Sequence, residues 1–125
     1  MTAASISNRL GATFLALASL TAHADADAVR CEELYGSRCV ACHSVDSNRI
    51  GPKHQGVFGR RASRVEGYDY SPALKQSKLV WTEETLDSWM ADPERTIRGQ
   101  KMGLSVSDKT DRADLIAYLR KVSPP

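Results

Sequence analysis

The chain has 125 residues, 42% of them hydrophobic and 26% charged, with a formal net charge of +2. That length argues for one domain, and the small net charge, with no aromatic residues interleaved among the basic ones, argues against a nucleic-acid binder. Three cysteines is an odd count, so they cannot all pair within the chain.

The first segment reads as a secretory signal peptide. Arg9 supplies a positive start, and the apolar run Leu10 to Leu20 is too short to span a bilayer as a helix. Ala22-His23-Ala24 is a small-x-small cleavage site followed by Asp25. The expected division is therefore a signal segment, 1–24, and a mature domain, 25–125. His23 leaves with the signal, so His43 and His54 remain. No other apolar run is long enough to cross a membrane, and no stable anchor is expected.

Ala26 to Arg38 has helical spacing, with Ala28, Cys31, Leu34 and Tyr35 on one face. Next comes Cys39-Val40-Ala41-Cys42-His43. From Ser44 to Tyr70 neither helical period nor strand alternation is sustained, and Gly51-Pro52, Gly56, Gly59 and Gly67 punctuate a long loop. Ser71-Pro72 opens a short helix to about Gln76. Thr82 caps a longer one, with Glu83 and Glu84 in its first turn and Leu86, Trp89 and Met90 on its apolar face. Asp92-Pro93 stops it, and Pro93 starts another short helix ending near Gly99. Ser107 or Thr110 is expected to cap the last helix, which runs to about Val122 and buries Leu115, Ile116, Tyr118 and Leu119. With no convincing strand and no internal repeat, the expected class is all-α.

Residues 39–43 read C-x-x-C-H, the pattern for covalent attachment of a c-type haem. Two thiols one helical turn apart can each add to a vinyl group of one porphyrin. The adjoining histidine can then donate an imidazole nitrogen to iron. A bare C-x-x-C also occurs in thioredoxin-like dithiols and in zinc sites. A small domain gains a large apolar body from such a cofactor, and a long loop is expected where it wraps something functional. His43 fills one axial position only. Met90, Met102 and His54 are candidates for the other, with lysines weaker. Met102 lies in a loop that can present its thioether. Met90 sits on an apolar helix face and reads as core, and His54 reads as a surface or loop histidine. Cys31, left over, reads as a small residue packed inside a helix or as a thiol free to form an intermolecular disulfide.

The charge is unevenly spread. Arg49, Lys53, Arg60, Arg61 and Arg64 fall between Asp46 and Glu66 with no acid among them, and Arg95, Arg98 and Lys101 cluster near Glu94. Such runs serve as a solvated surface, as a docking face for an acidic partner, or as donors to haem propionates.

These motifs resemble the class I cytochromes c, the small monohaem proteins of bacterial periplasms and mitochondria. The likeness runs from about Ala28 to Val122 through CVACHS (39–44), GPKHQGVFGR (51–60), GYDYSPALK (67–75), VWTEETLDSWMADP (80–93), GQKM (99–102) and DRADLIAYL (111–119). It implies the cytochrome c fold, in which N- and C-terminal helices cross and shorter helices and long loops wrap one covalent haem. It implies thioethers from Cys39 and Cys42, His43 as proximal ligand, the Pro52 carbonyl as acceptor of the other imidazole N–H, and Met102 as distal ligand. Arg60, Tyr70 and Trp81 match positions that hydrogen-bond propionates, and Arg38 and Lys101 match the rim where partners dock.

The implied activity is soluble one-electron transfer in the periplasm, with no enzymatic reaction. Implied partners are redox proteins such as a terminal oxidase, a membrane reductase or a periplasmic dehydrogenase. Several positions depart from the family pattern: His54 for Leu, Leu104 for Phe, Trp89 for Tyr, Gln100 for Thr, Arg98 for Pro and Cys31 for Gly. The changes near Met102 predict a less rigid ligand loop. They leave a second reading: a haem protein with a labile or absent methionine ligand that binds a diatomic gas or acts as a peroxidase. A metal-free thiol–disulfide protein is the third.

Overall fold

A computed structural model describes residues 20–125. The expected signal segment, 1–24, lies almost wholly outside the described residues. Five helices follow in order: α1 (Leu20–Arg38), α2 (Pro72–Gln76), α3 (Glu83–Ala91), α4 (Pro93–Thr96) and α5 (Lys109–Lys121). Among the described residues there is no strand, only an isolated antiparallel bridge between Arg61 and Val80. The class is all-α.

The long helix α1 starts at Leu20 and not at Ala26. The intervening residues are rich in alanine, the strongest helix former, so nothing in them stops propagation. Ala28 is exposed, which narrows the buried face to Cys31, Leu34 and Tyr35. That face meets α5, where Leu115, Ile116 and Leu119 are buried. The Tyr35 and Tyr118 rings stack across the contact, 4.3 Å between centroids. Outside this apolar seam, Arg30 reaches Asp111 at 2.7 Å and Asp114 at 2.6 Å, and Lys121 lies 3.5 Å from Glu32. These exposed pairs fix register more than they drive association.

Local chemistry sets the shorter elements. Thr82 Oγ1 accepts the Thr85 amide, and Thr85 Oγ1 accepts the Thr82 amide, forming a reciprocal cap on α3. Asp92 ends α3 and caps α4, accepting the Arg95 amide at 3.0 Å, while Pro93 takes the first helical position. The cap of α5 is neither Ser107 nor Thr110. Asp108 holds it, accepting the Asp111 amide at 2.9 Å, because the chain turns into the helix there and puts its carboxylate at the positive helix end.

Arg112 is the one α5 cation turned into the protein, at 8% exposure. Its Nε donates to Asp87 of α3 at 2.7 Å, and its Nη1 donates to the carbonyls of Val106 and Ser107 at 3.0 and 2.9 Å. One guanidinium thus joins α3, α5 and the segment entering α5. Arg112→Met keeps most of the volume and removes every donor. It should lower stability by about 2–4 kcal/mol in denaturant unfolding, whereas Arg30→Met, at an exposed pair, should change it much less.

Candidate haem-attachment site

The site hangs from the end of α1. Hydrogen bonds from Cys39 N to Tyr35 O and from His43 N to Cys39 O, both 2.9 Å, carry a helical turn past Arg38. This turn holds the two thiols. Cys39 is half-buried against the core and Cys42 is exposed, and neither is in a disulfide. Burial, with Cys42 nearby, pushes the Cys39 thiol up to about 11. A redox dithiol needs a depressed pKa, so this environment does not suit thioredoxin-like exchange. Among the described residues, no group of three or more His, Cys, Asp or Glu is placed to hold a metal ion, so the zinc reading finds no further ligands.

His43 is fixed by backbone. Its Nδ1 lies 2.7 Å from the Pro52 carbonyl and donates to it, which leaves Nε2 with the free lone pair. Burial lowers its pKa and favours the neutral imidazole, the form that can donate a lone pair to a metal. Gly51 makes room for the ring, since a Cβ there would overlap His43 Cε1. The approach is held by Gly51 N to Cys42 O, His54 N to Ser44 O and Gln55 N to Val45 O, at 2.8, 2.9 and 2.8 Å.

His54 is a loop histidine, but not a surface one. It is half-buried, its ring stacks on His43 with centroids 4.0 Å apart, and its Nδ1 bonds the Tyr35 hydroxyl at 3.0 Å. Burial first, then the charges of His43 and Arg60, lower its pKa to about 3. A loop histidine has no periodicity to reveal such a position.

Arg60 and Trp81 stand side by side on paired backbone: Trp81 N donates to Arg60 O at 2.9 Å and Gly59 N to Trp81 O at 2.8 Å. Arg60 donates to the Gln55 carbonyl at 2.8 Å and the Lys53 carbonyl at 3.4 Å. Tyr70 is buried and its oxygen accepts the Val65 amide at 3.3 Å. Burial raises the Tyr70 pKa against the opposing pull of Arg60.

Met102 is half-buried and packs on the core from its loop, while Met90 is buried on α3. The loop is more fastened than its sequence suggests. Gln100 Oε1 accepts the Met102 amide, and Glu94 accepts the Gly99 amide at 3.1 Å and Gln100 Nε2 at 3.4 Å. Leu104 turns outward at 40% exposure. Lys101 is exposed, and Arg38 lies 3.9 Å from Asp111. Sequence reasoning marked His54 and Gln100 as departures from the family pattern, His54 as one that alters packing beside His43, but missed the hydrogen bonds each makes, which depend on partners brought by the fold.

Two free thiols on one turn, a histidine with one nitrogen committed and the other free, and an all-α frame around them fit a c-type haem protein. Residues 28–123 match the sequence model of the family described as Cytochrome c. The chain is 42% identical over 91 residues to "Cytochrome c" of Gibberella zeae, covering 70% of this chain and 86% of that one. It is 38% identical over 112 residues to "Cytochrome c2" of Blastochloris viridis, covering 86% and 87%. The solved structure of cytochrome cH from Methylobacterium extorquens is 39% identical, with a TM-score of 0.72 over 76% of this chain and 98% of that one. The chain belongs to the cytochrome c family, of class I, and is a carrier with a covalently bound c-type haem.

Gly51→Ala drives a methyl into the His43 ring and should cost about 1–3 kcal/mol in unfolding of the holoprotein. It should also move the His43 ring resonances in NMR.

Proposed function

We propose that this chain is an exported one-electron carrier whose mature domain, 25–125, holds its haem by thioethers from Cys39 and Cys42, with His43 on one face and Met102 on the other. The carrying observation is the 2.7 Å contact between His43 Nδ1 and the Pro52 carbonyl beside two unpaired thiols. It leaves Nε2 as the only free lone pair on that ring.

A haem held there supplies one-electron exchange between ferric and ferrous iron. The chain's residues set the conditions. The Pro52 carbonyl orients His43 and raises its basicity. Met102, as a thioether ligand, favours the reduced state. Arg60, Tyr70 and Trp81 supply donors for buried haem carboxylates. Holding the haem through both His43 and Met102 would leave its iron no site for a substrate, which fits a carrier and not an enzyme. The partners are redox proteins such as a terminal oxidase, a membrane reductase or a periplasmic dehydrogenase. Lys101 and Arg38 form part of the face that meets them, and the signal-like segment 1–24 directs the chain to the periplasm.

Met102→Ala should abolish the sulfur-to-iron absorption of the oxidised protein and lower its midpoint potential. Met90→Ala should leave both in place and cost about 2–5 kcal/mol of stability. The reverse pattern overturns the ligand assignment, and ready CO binding by the reduced wild type would favour the gas-binding reading. Electron transfer to an acidic partner should slow as salt rises, since screening weakens steering by exposed charges. A salt-independent rate removes the docking face.

A further inference from the structure

The ring of His54 lies nearly parallel to that of His43, at an interplanar angle of 19° and a centroid distance of 4.0 Å. Two contacts determine where His54 sits. Its backbone amide donates to the Ser44 carbonyl at 2.9 Å, which fixes the start of the side chain. Its Nδ1 meets the Tyr35 hydroxyl at 3.0 Å, which fixes the ring. Tyr35 is 3% exposed and approaches His54 edge-on, with ring centroids 5.7 Å apart. It is clamped in turn by its stack on Tyr118 of α5. An unbroken line of four aromatic rings therefore runs from the α1–α5 crossing to the proximal histidine.

An imidazole in this place does what an aliphatic side chain cannot. Its flat face restricts rotation of the neighbouring ring about Cβ–Cγ, and its nitrogen ties that face to a hydroxyl 19 residues away. The Pro52 carbonyl constrains the same His43 ring only at its Nδ1 edge. Edge and face together leave one orientation. Relays of this kind, a ligand held by a group that is itself hydrogen-bonded, tune metal sites.

We propose that His54 is a positioning residue that sets the ring plane of His43, and that Tyr35 acts on the haem site through it, coupling the helix crossing to the proximal ligand. This rests on His43 being the haem ligand.

The test uses the oxidised holoprotein with His54→Leu, Tyr35→Phe and the double variant. Proton NMR reads the paramagnetically shifted His43 ring and haem methyl signals, and voltammetry reads the potential. His54→Leu should move the His43 signals and the potential. Tyr35→Phe should move the same signals less. In the double variant the tyrosine change should add nothing. Unmoved His43 signals in both single variants, with only the melting temperature lowered, would reduce the pair to packing and overturn the proposal. So would a Tyr35→Phe shift of equal size in both backgrounds. If His54→Leu does not fold, Tyr35→Phe alone decides, because it removes a single oxygen. Failure of the ligand reading looks different: the wild-type protein itself would lack shifted His43 signals.

Discussion

The hydrogen bond from His43 Nδ1 to the Pro52 carbonyl is the constraint around which the loop region is built. It closes a loop across nine residues. It can form only because three backbone bonds hold 42–45 against 51–55, and only because residue 51 has no side chain. The same segment continues into contact with the end of α5. There Gly56 N donates to Val122 O at 3.0 Å and Phe58 N to Ser123 Oγ at 3.0 Å. A stretch without regular structure is thus fixed at one end by the turn after α1 and at the other by the close of α5. The two terminal helices pack on each other, so both ends are referred to one rigid unit.

That arrangement explains which parts were legible in the sequence. Helices with a local stop or start were: Ser71-Pro72, Thr82 and Asp92-Pro93 act on their own neighbours, and the structure uses all three. The motif at 39–43 was legible because its spacing is itself the chemistry. The cap of α5 was not, since Ser107, Asp108 and Thr110 all carry side-chain oxygens and only the path of the chain selects Asp108. His54 was legible as a departure that alters packing beside His43, but its bond to Tyr35 was not, because Tyr35 lies on α1 and only the fold brings it there. Against the family pattern, Gln100 in place of threonine predicts a looser Met102 loop. In the fold it ties Met102 to Glu94.

The charge distribution changes meaning in the same way. The basic run between Asp46 and Glu66 reads as one surface feature. Two of its members spend their donors on backbone: Arg49 on the Val40 carbonyl at 2.5 Å and Arg60 on those of Gln55 and Lys53. Arg60 is half-buried, whereas Arg49, despite its bond, stays exposed like Arg61 and Arg64. A guanidinium bonded to carbonyls keeps its charge but loses its freedom. Such groups add to the local positive field while serving as internal ties, so exposure and not sequence density decides which cations can meet a partner.

The two faces of the site are held by different kinds of contact. His43 is fixed mainly by main-chain groups, reinforced by an enclosed aromatic line. The Met102 loop is fixed at its start by Glu94 and Gln100, whose bonds are largely exposed to water. At its far end it is fixed by Val106 N to Met90 O at 2.7 Å and by buried Arg112. Water competes for exposed hydrogen bonds and not for enclosed ones, so local opening begins where exposure is greatest. The weak stretch is therefore 99–105, bounded by a firm anchor at Val106. Under the proposed ligation, His43 would stay in place through fluctuations that reach Met102, and the leading half of the methionine loop would set how tightly the site stays closed.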